Sequence, residues 1–140
     1  MSYADDVARI IAVVNRYALS IDRYDPDVVL SVFTSDATLD HSPCGYPKSV
    51  GHDEIAEYFA PRKTRVRRSM HFMSNHLVDI TGPDSATGSS YVHAIGPGPD
   101  GGAPVTAALA INEDVYRRTT DGWKIAHRVT SPMVDIGREA

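Results

Sequence analysis

The chain has 140 residues, of which 42% are hydrophobic and 23% charged, with a formal net charge of −4. This is the composition of an ordinary soluble globular protein, and the length fits one domain spanning residues 1–140. The negative charge argues against nucleic-acid binding, and no stretch reaches the roughly 20 apolar residues that span a bilayer. The single cysteine, Cys44, cannot form an internal disulfide, so we expect a cytoplasmic protein.

The first half of the chain carries helical periodicity. Apolar residues recur at the i, i+3, i+4, i+7 spacing from Val7 to Ile21, which predicts a first helix with one buried face. A second helix is predicted to follow, with Asp25 as its N-cap and Pro26 at its first helical position. A short strand is predicted in DATLDHS, and a third helix in GHDEIAEYFAP, where the proline ends it.

After residue 68 the hydrophobic pattern changes to period two. It predicts four strands joined in part by the turns TGPDSA and TTDG, over residues 69–80, 86–95, 105–118 and 123–134. The loop 96–104, rich in glycine and proline, is either a hairpin tip or a mobile flap over a site. Three helices before an antiparallel meander predict an α+β domain whose curved sheet wraps around the helices and leaves a ligand cavity.

Asp22 is the first candidate for chemistry. It lies at the C-terminal end of the first helix, where the helix dipole disfavours a carboxylate by roughly 0.3–1 kcal/mol. It also lies at the edge of the apolar face, four residues after Ala18. A carboxylate in this position either has a partner elsewhere in the fold or caps the following turn, DRYDP, by itself.

Two histidines in the first long strand are the next candidates. Because side chains alternate along a strand, His71 is predicted to share a face with Met73, Asn75 and Leu77, and His76 to lie on the other face unless a bulge intervenes. The two histidines are therefore not interpreted as a metal site. A single strand histidine is either a hydrogen-bonded structural residue or a base.

Several other residues are weaker candidates. Each either lines the cavity or is a half-buried side chain without function: Tyr17, Asp40, His41, Tyr91, His93, Asp114 and Tyr116. His127 alternates with Trp123 and Ile125, which predicts packing with them. No phosphate-binding glycine loop, CxxC motif or serine nucleophile elbow occurs, so an enzyme here is expected to use acid–base chemistry with no cofactor and no metal.

The stretch RKTRVRR, residues 62–68, carries five positive charges in seven residues. Such a run is typical of a solvated connection between two elements. The alternative is that it recruits an anionic or carrier-linked substrate.

Four segments together resemble the SnoaL-like branch of the NTF2-like superfamily. In chain order they are RYALSIDRYDPDVVLSVFTSDATLD, GHDEIAEYF, MHFMSNHLVDITGPDSATGSSYV and DVYRRTTDGWKIAHR, and they cover nearly the whole chain. The resemblance implies a cone-shaped α+β barrel with a deep cavity, often dimeric. Scytalone dehydratase, bile-acid dehydratase and a dehydrochlorinase of this family pair an aspartate at the end of the first helix with a strand histidine. Here the matching residues are Asp22 and His71, and Tyr17 matches a tyrosine of the bile-acid enzyme.

The resemblance therefore predicts a dehydratase, related lyase or cyclase that acts on a small hydrophobic polycyclic substrate through Asp22, His71 and Tyr17. Substrate contacts are expected from His41, Tyr58, Met73, Asn75, Tyr91, His93 and Asp114. One alternative is a ketosteroid isomerase-like site, with Tyr17 and Asp114 as the oxyanion hole and the base at Asp40 or His41. The other is a binding or dimerisation module without activity. Apolar residues on both faces of the long strands predict a homodimer through the outer face of the sheet.

Overall fold

The computed structural model describes residues 2–137. It contains three α-helices: α1 (Tyr3–Arg23), α2 (Pro26–Ser31) and α3 (Gly51–Phe59). The six strands are β1 (Phe33–Asp40), β2 (Lys48–Val50), β3 (Met70–Gly82), β4 (Ser85–Gly96), β5 (Val105–Thr119) and β6 (Gly122–Pro132). Short 3₁₀ turns lie at Ser42–Cys44, Ala60–Arg65 and Pro99–Gly101.

The three predicted helices are confirmed, and local chemistry explains where two of them begin. The Ser2 side chain accepts a hydrogen bond from the backbone N–H of Asp5, and the Asp5 carboxylate accepts one from the N–H of Ser2, which completes a capping box before α1. Asp25 caps α2 by accepting from the N–H of Val28, with Pro26 at the first helical position. Among the helices of residues 2–137, none combines the length and apolar character that crossing a membrane requires.

All six strands belong to one curved, unclosed sheet, in the order β2-β1-β6-β5-β4-β3. The predicted meander from β3 to β6 is confirmed, since each of these strands pairs antiparallel with the next. Two features differ from the prediction. The short strand β2 was not predicted, and β1 pairs with β6 in the parallel direction because the chain returns to the far side of the sheet. The sheet therefore has two free edges, β2 and β3.

The helices cover one face of this sheet and form the main core with it. Ile10 and Val14 of α1, Ile55 of α3, Phe33 of β1 and Ile125 of β6 are 0–1% exposed. This face is called the inner face below, and the opposite one the outer face. The buried carboxylate of Asp6 joins the start of α1 to the β5–β6 hairpin through Arg118 at 2.7 Å and the indole N–H of Trp123 at 3.0 Å.

An extra residue in β3 reverses the alternation of its side chains. Asn75 has a left-handed backbone, with φ of 54°, and the pairing with β4 shifts at this point. After this bulge His76 lies on the inner face with Val78, which packs against the core, whereas Leu77 is 70% exposed. The predictions that His71 and His76 point to opposite faces, and that Leu77 shares the face of His71, are therefore wrong.

A second extra residue lies in β6. The register with β5 shifts between Ile125 and His127, so one residue of β6 has no counterpart. Trp123 and Ile125 before the shift are buried, and Arg128 after it is also buried. His127 therefore does not share their face, and it lines the outer face of the sheet instead. The predicted packing of His127 with Trp123 and Ile125 is wrong.

Candidate active site

Asp22 and His71 form the predicted contact. Nδ1 of His71 lies 2.6 Å from Oδ1 of Asp22, and the backbone N–H of His71 donates to Oδ2 of the same carboxylate at 2.9 Å. The side chains are only 9% and 15% exposed for His71 and Asp22. Within residues 2–137 the carboxylate accepts from no other group, so it does not cap its own turn.

This double contact orients the imidazole. One carboxylate oxygen holds the backbone of β3 and the other holds the ring, so both the position and the rotation of the ring are determined. A carboxylate on Nδ1 selects the tautomer whose Nε2 carries a lone pair and stabilises the imidazolium that forms when Nε2 accepts a proton. In the described part of the chain, Nε2 of His71 has no hydrogen-bond partner. The arrangement leaves one oriented ring nitrogen of His71 free.

A groove of about 280 Å³ lies beside this pair, between α1 and the start of β3. Its lining mixes polar and apolar side chains: Asn15, Ala18, Leu19, Asp22, Met70, His71, Phe72 and Met73. Met73, a predicted substrate contact, therefore lies at the groove. Tyr17 does not line it, so this groove does not fulfil the prediction that Tyr17 opens onto the same cavity as Asp22 and His71.

Tyr17 instead belongs to a buried cluster in the core. It is 4% exposed and meets Phe33 and Phe59 edge-on, both with ring centroids 5.8 Å away. The guanidinium carbon of Arg128 lies 4.5 Å from the centre of its ring. Burial raises the pKa of the Tyr17 phenol, and the positive charges of Arg128 and Arg62 offset only part of this rise. The phenol therefore stays protonated and can donate a hydrogen bond.

His41 and Tyr58 extend this cluster. Their rings lie 5.1 Å apart, centre to centre. Burial, helped by the positive charges of Arg128 and Arg62, lowers the pKa of His41 to about 4, so its ring is neutral near pH 7. Burial raises the pKa of Tyr58. The Nδ1 atom of His41 is buried and has no hydrogen-bond partner among residues 2–137.

The deepest charged groups are Asp114 and Arg128, whose side chains are fully buried. Nε and Nη2 of Arg128 donate to the two carboxylate oxygens at 2.7 and 2.8 Å, and the Tyr116 hydroxyl donates to Oδ2 at 2.7 Å. Burial acts to lower the pKa of Arg128, but the Asp114 carboxylate together with Tyr17 and Tyr116 raises it above its ordinary value, so the guanidinium stays charged. Its Nη1 is buried without an acceptor in the described residues. Both oxygens of Asp114 are occupied, so it orients Arg128 rather than contacting a substrate.

Beside this ion pair, a row of polar residues crosses the inner face. Ser90, Asn112 and Thr130 are neighbours on β4, β5 and β6 and are 1%, 2% and 7% exposed. The hydroxyl of Thr130 donates to Oδ1 of Asn112 at 2.7 Å, whereas the hydroxyl of Ser90 has no partner in the part of the chain that is described. The inner face of the sheet therefore presents polar groups at this depth.

Three predicted substrate contacts lie on the outer face instead. Asn75 is exposed at the bulge of β3. Tyr91 is 43% exposed, and the exposed His93 has its ring 5.9 Å from Phe72 and its Nε2 3.3 Å from the hydroxyl of Thr106. The alternation of β4 explains the error, since Ser90, Val92 and Ala94 occupy its inner positions.

Sequence reasoning also missed residues that the site contains: Ser90, Asn112, Arg128 and Thr130. For Asn112 a signal existed, because it shares the period-two spacing of Asp114 and Tyr116. For Arg128 the same spacing was misleading, because the extra residue in β6 moves it to the inner face. Within residues 2–137, no group of three or more His, Cys, Asp and Glu side chains is arranged to hold a metal ion.

Helices on one face of a curved six-stranded sheet, with a carboxylate–histidine pair between α1 and β3, place the protein in the NTF2-like class of folds. The chain belongs to the SnoaL-like domain family, whose model matches residues 2–129. No curated protein matches the chain.

Solved structures give the same fold. A proposed aromatic ring hydroxylase from Novosphingobium aromaticivorans is 31% identical, with a TM-score of 0.86 over 96% of this chain and 94% of that one. A proposed dehydratase of the NTF2-like family from Streptomyces avermitilis is 20% identical, with a TM-score of 0.81 over 96% and 100%. A ketosteroid isomerase-like protein from Erwinia carotovora atroseptica is 22% identical, with a TM-score of 0.75 over 95% and 100%. The last two show likeness of fold.

Proposed function

We propose that the protein is a cofactor-independent acid–base enzyme, a dehydratase or related lyase acting on a small hydrophobic polycyclic molecule. The observation that carries the proposal is the double contact between Asp22 and His71, which orients a ring nitrogen of His71 beside a groove of about 280 Å³. The SnoaL-like family and the dehydratase and isomerase names among proteins of the same fold support this class of chemistry.

The proposed reaction begins at Nε2 of His71. This nitrogen takes a proton from a carbon next to a carbonyl group, and Asp22 stabilises the imidazolium that results. The electrons of the C–H bond form a C=C bond as the neighbouring C–O bond breaks. The departing oxygen takes this proton back from the imidazolium and leaves as water, so that atoms and charge balance and the base is regenerated.

Arg128 is suited to hold the developing oxygen anion. It is charged and buried, and its Nη1 lacks an acceptor within residues 2–137. A donor already fixed in a site with little water stabilises a transition-state charge more than a mobile donor does. The neutral rings of His41 and Tyr58 supply flat surfaces for a polycyclic substrate.

The isomerase-like arrangement has less support. Its oxyanion hole needs a protonated Asp114, but both oxygens of Asp114 accept hydrogen bonds from Arg128. Its base would be Asp40, which accepts from the N–H of Ser42 and pairs with Lys48 at 3.7 Å, or His41, whose pKa of about 4 makes it a weak base. Double-bond migration with His71 as the base stays a second candidate, because it begins with the same proton abstraction.

We also propose a homodimer through the outer face. Phe72, Leu77, Tyr91 and Val115 on this face are 43–70% exposed, a larger apolar surface than monomers usually leave in water. Light scattering at micromolar concentration is expected to give the mass of a dimer. A monomer mass would contradict the proposal.

A deuterium-exchange experiment tests the proton abstraction before the substrate is known. A panel of polycyclic ketones is incubated with the protein in D₂O, and exchange of the hydrogens next to the carbonyl is followed by NMR. We expect wild-type protein to accelerate exchange of at least one ketone and folded His71→Ala protein to lose that acceleration. Exchange that persists without the ring would refute His71 as the base. Binding of the ketones without exchange would favour a binding module.

A further inference from the structure

Residues 62–68, the basic segment, connect α3 to β3. Arg62, Lys63, Arg65, Arg67 and Arg68 give it five positive charges, although the whole chain has a net charge of −4. Arg62 is partly buried and the other four are exposed. The charge of this segment is therefore opposite in sign to that of the protein and is concentrated at one place.

The fold does not neutralise these charges. In the described residues 2–137, none of the five cations forms an ion pair. Elsewhere Arg117, Arg118 and Arg128 each pair with an aspartate. Neighbouring cations without partners repel one another, so the segment adds no electrostatic stability to the folded chain. The charge remains available to a ligand.

The basic segment also borders the candidate active site. Arg68 is three residues before His71. Met70, two residues after Arg68, lines the groove. At the other end of the segment, the positive charge of Arg62 helps to lower the pKa of His41 and partly offsets the rise in the pKa of Tyr17 that burial causes. Arg62 therefore lies within electrostatic reach of the buried cluster.

The glycine-rich loop 96–104 meets the segment from the other side. A Cβ added to Gly101 would lie 3.2 Å from a terminal nitrogen of Arg68. Gly101 also has a φ of +73°, a conformation that favours glycine. The loop thus approaches the guanidinium of Arg68 closely.

We propose that the basic segment binds an anionic handle with more than one negative charge, of the phosphate-ester type, on the substrate whose reacting end enters the groove at Asp22 and His71. A single carboxylate would occupy one arginine, whereas this segment offers four arginines and a lysine. Guanidinium groups bind phosphate through paired N–H donors. A groove of about 280 Å³ holds only a small part of a ligand, so the handle would lie outside it.

The direction of the charges favours a small molecule over an acidic protein surface. The positive charge runs from the partly buried Arg62, within electrostatic reach of the core cluster, to the exposed Arg67 and Arg68 just before β3. A ligand that continues into the groove would contact this whole line. A protein surface would reach the four exposed cations but not the partly buried Arg62.

Calorimetric titration with inorganic pyrophosphate tests the handle site directly. We expect wild-type protein to bind pyrophosphate more tightly than orthophosphate, with an affinity that falls at high salt. The double variant Arg65→Gln/Arg68→Gln is expected to bind about three- to tenfold more weakly. The matched control Arg9→Gln/Arg16→Gln removes two exposed, unpaired arginines of α1 and is expected to bind as wild type does. NMR shifts on titration should map to residues 62–68 and 96–104.

The handle site rests on the proposed function only for the end of the substrate that reacts at His71. One variant separates the handle site from the proposed function. His71→Ala is expected to bind pyrophosphate as wild type does while it loses ketone exchange. Absence of pyrophosphate binding, equal affinity for orthophosphate, or equal weakening in both double variants would overturn the handle site and leave the role of His71 untouched. Normal pyrophosphate binding with no ketone exchange in any protein would instead contradict only the proposed function. Wild-type protein that captures an acidic protein but not pyrophosphate would also overturn the handle site.

Discussion

Two of the carboxylate pairs on the helix-facing side of this protein, Asp114 with Arg128 and Asp22 with His71, differ in what they leave free. Asp114 and Arg128 are fully buried, and two parallel hydrogen bonds of 2.7 and 2.8 Å hold them together. Asp22 and His71 are 15% and 9% exposed and lie beside a groove. The first pair contains a guanidinium, which is a permanent cation, whereas the second contains an imidazole with a ring nitrogen left free. Burial and the type of side chain thus separate a closed structural pair from the pair for which we propose proton transfer.

The largest effect is expected from removing the imidazole ring of His71, which pairs with Asp22 beside the groove. His71→Ala should lower turnover, or ketone exchange, by about 10²–10⁴-fold, because the oriented base is gone. Circular dichroism should show an unchanged fold. His76→Ala is the matched control on the same strand and inner face and does not line the groove, so it should change stability and leave the rate nearly unchanged. Equal loss of rate in both variants would assign the effect to the strand and not to the ring.

The next largest effect is expected on stability, from breaking the buried pair of Asp114 and Arg128. Asp114→Asn leaves Arg128 charged and without its carboxylate, which should lower the free energy of unfolding by about 3–5 kcal/mol. Urea denaturation measures this change. Asp36→Asn is the control, because its pair with Arg117 is exposed on both sides, and it should leave the urea midpoint unchanged. Equal midpoints in both variants would contradict the contrast between the two pairs.

Asp22→Asn should have a smaller effect on rate than His71→Ala, because the ring remains while its orienting charge is lost. Adding Asp22→Asn to His71→Ala should cost little more than His71→Ala alone, since residues that act as one unit are not additive. Rates of the two single variants and the double variant measure this directly. Fully additive losses would mean that Asp22 acts independently of the ring.

The smallest effect concerns pH and the buried His41. The folded protein holds its pKa at about 4, below the ordinary value of 6.5, so the unfolded chain takes up the proton first as the pH falls. His41 therefore contributes stability that is fully present above pH 6.5 and is lost as the pH falls toward 4, in total on the order of 3 kcal/mol. Urea denaturation of His41→Phe between pH 7 and pH 4 should show a flatter dependence than wild type. An unchanged slope would contradict this assignment.

The regular elements were predictable from the sequence, and the irregular ones were not. The 3.6-residue period gave α1 and its buried face, and Asp22 could be recognised because a carboxylate at that helix end is electrostatically disfavoured. The alternation of side chains along a strand is easily disturbed, because one extra residue moves every later side chain to the other face. The bulge at Asn75 accordingly inverted the assignment of His76.

The error in β6 has the same cause and a larger consequence for the site. The extra residue between Ile125 and Arg128 brings the arginine to the inner face, opposite Asp114. Neither the spacing nor the composition of this strand indicates the insertion. Arginine is also rarely buried in proteins, so an arginine in a strand sequence is normally assigned to the surface. Only the register with β5 reveals it.

The position of β3 at the edge of the sheet gives Asp22 a second consequence. An edge strand presents unpaired backbone donors, and these can recruit a strand of another molecule and start aggregation. The Asp22 carboxylate accepts the backbone N–H of His71 at 2.9 Å, so one of these donors is already occupied near the start of the strand. The extra residue at Asn75 interrupts the regular edge a few residues later. The residue that orients the base thus also protects the exposed strand from edge-to-edge association.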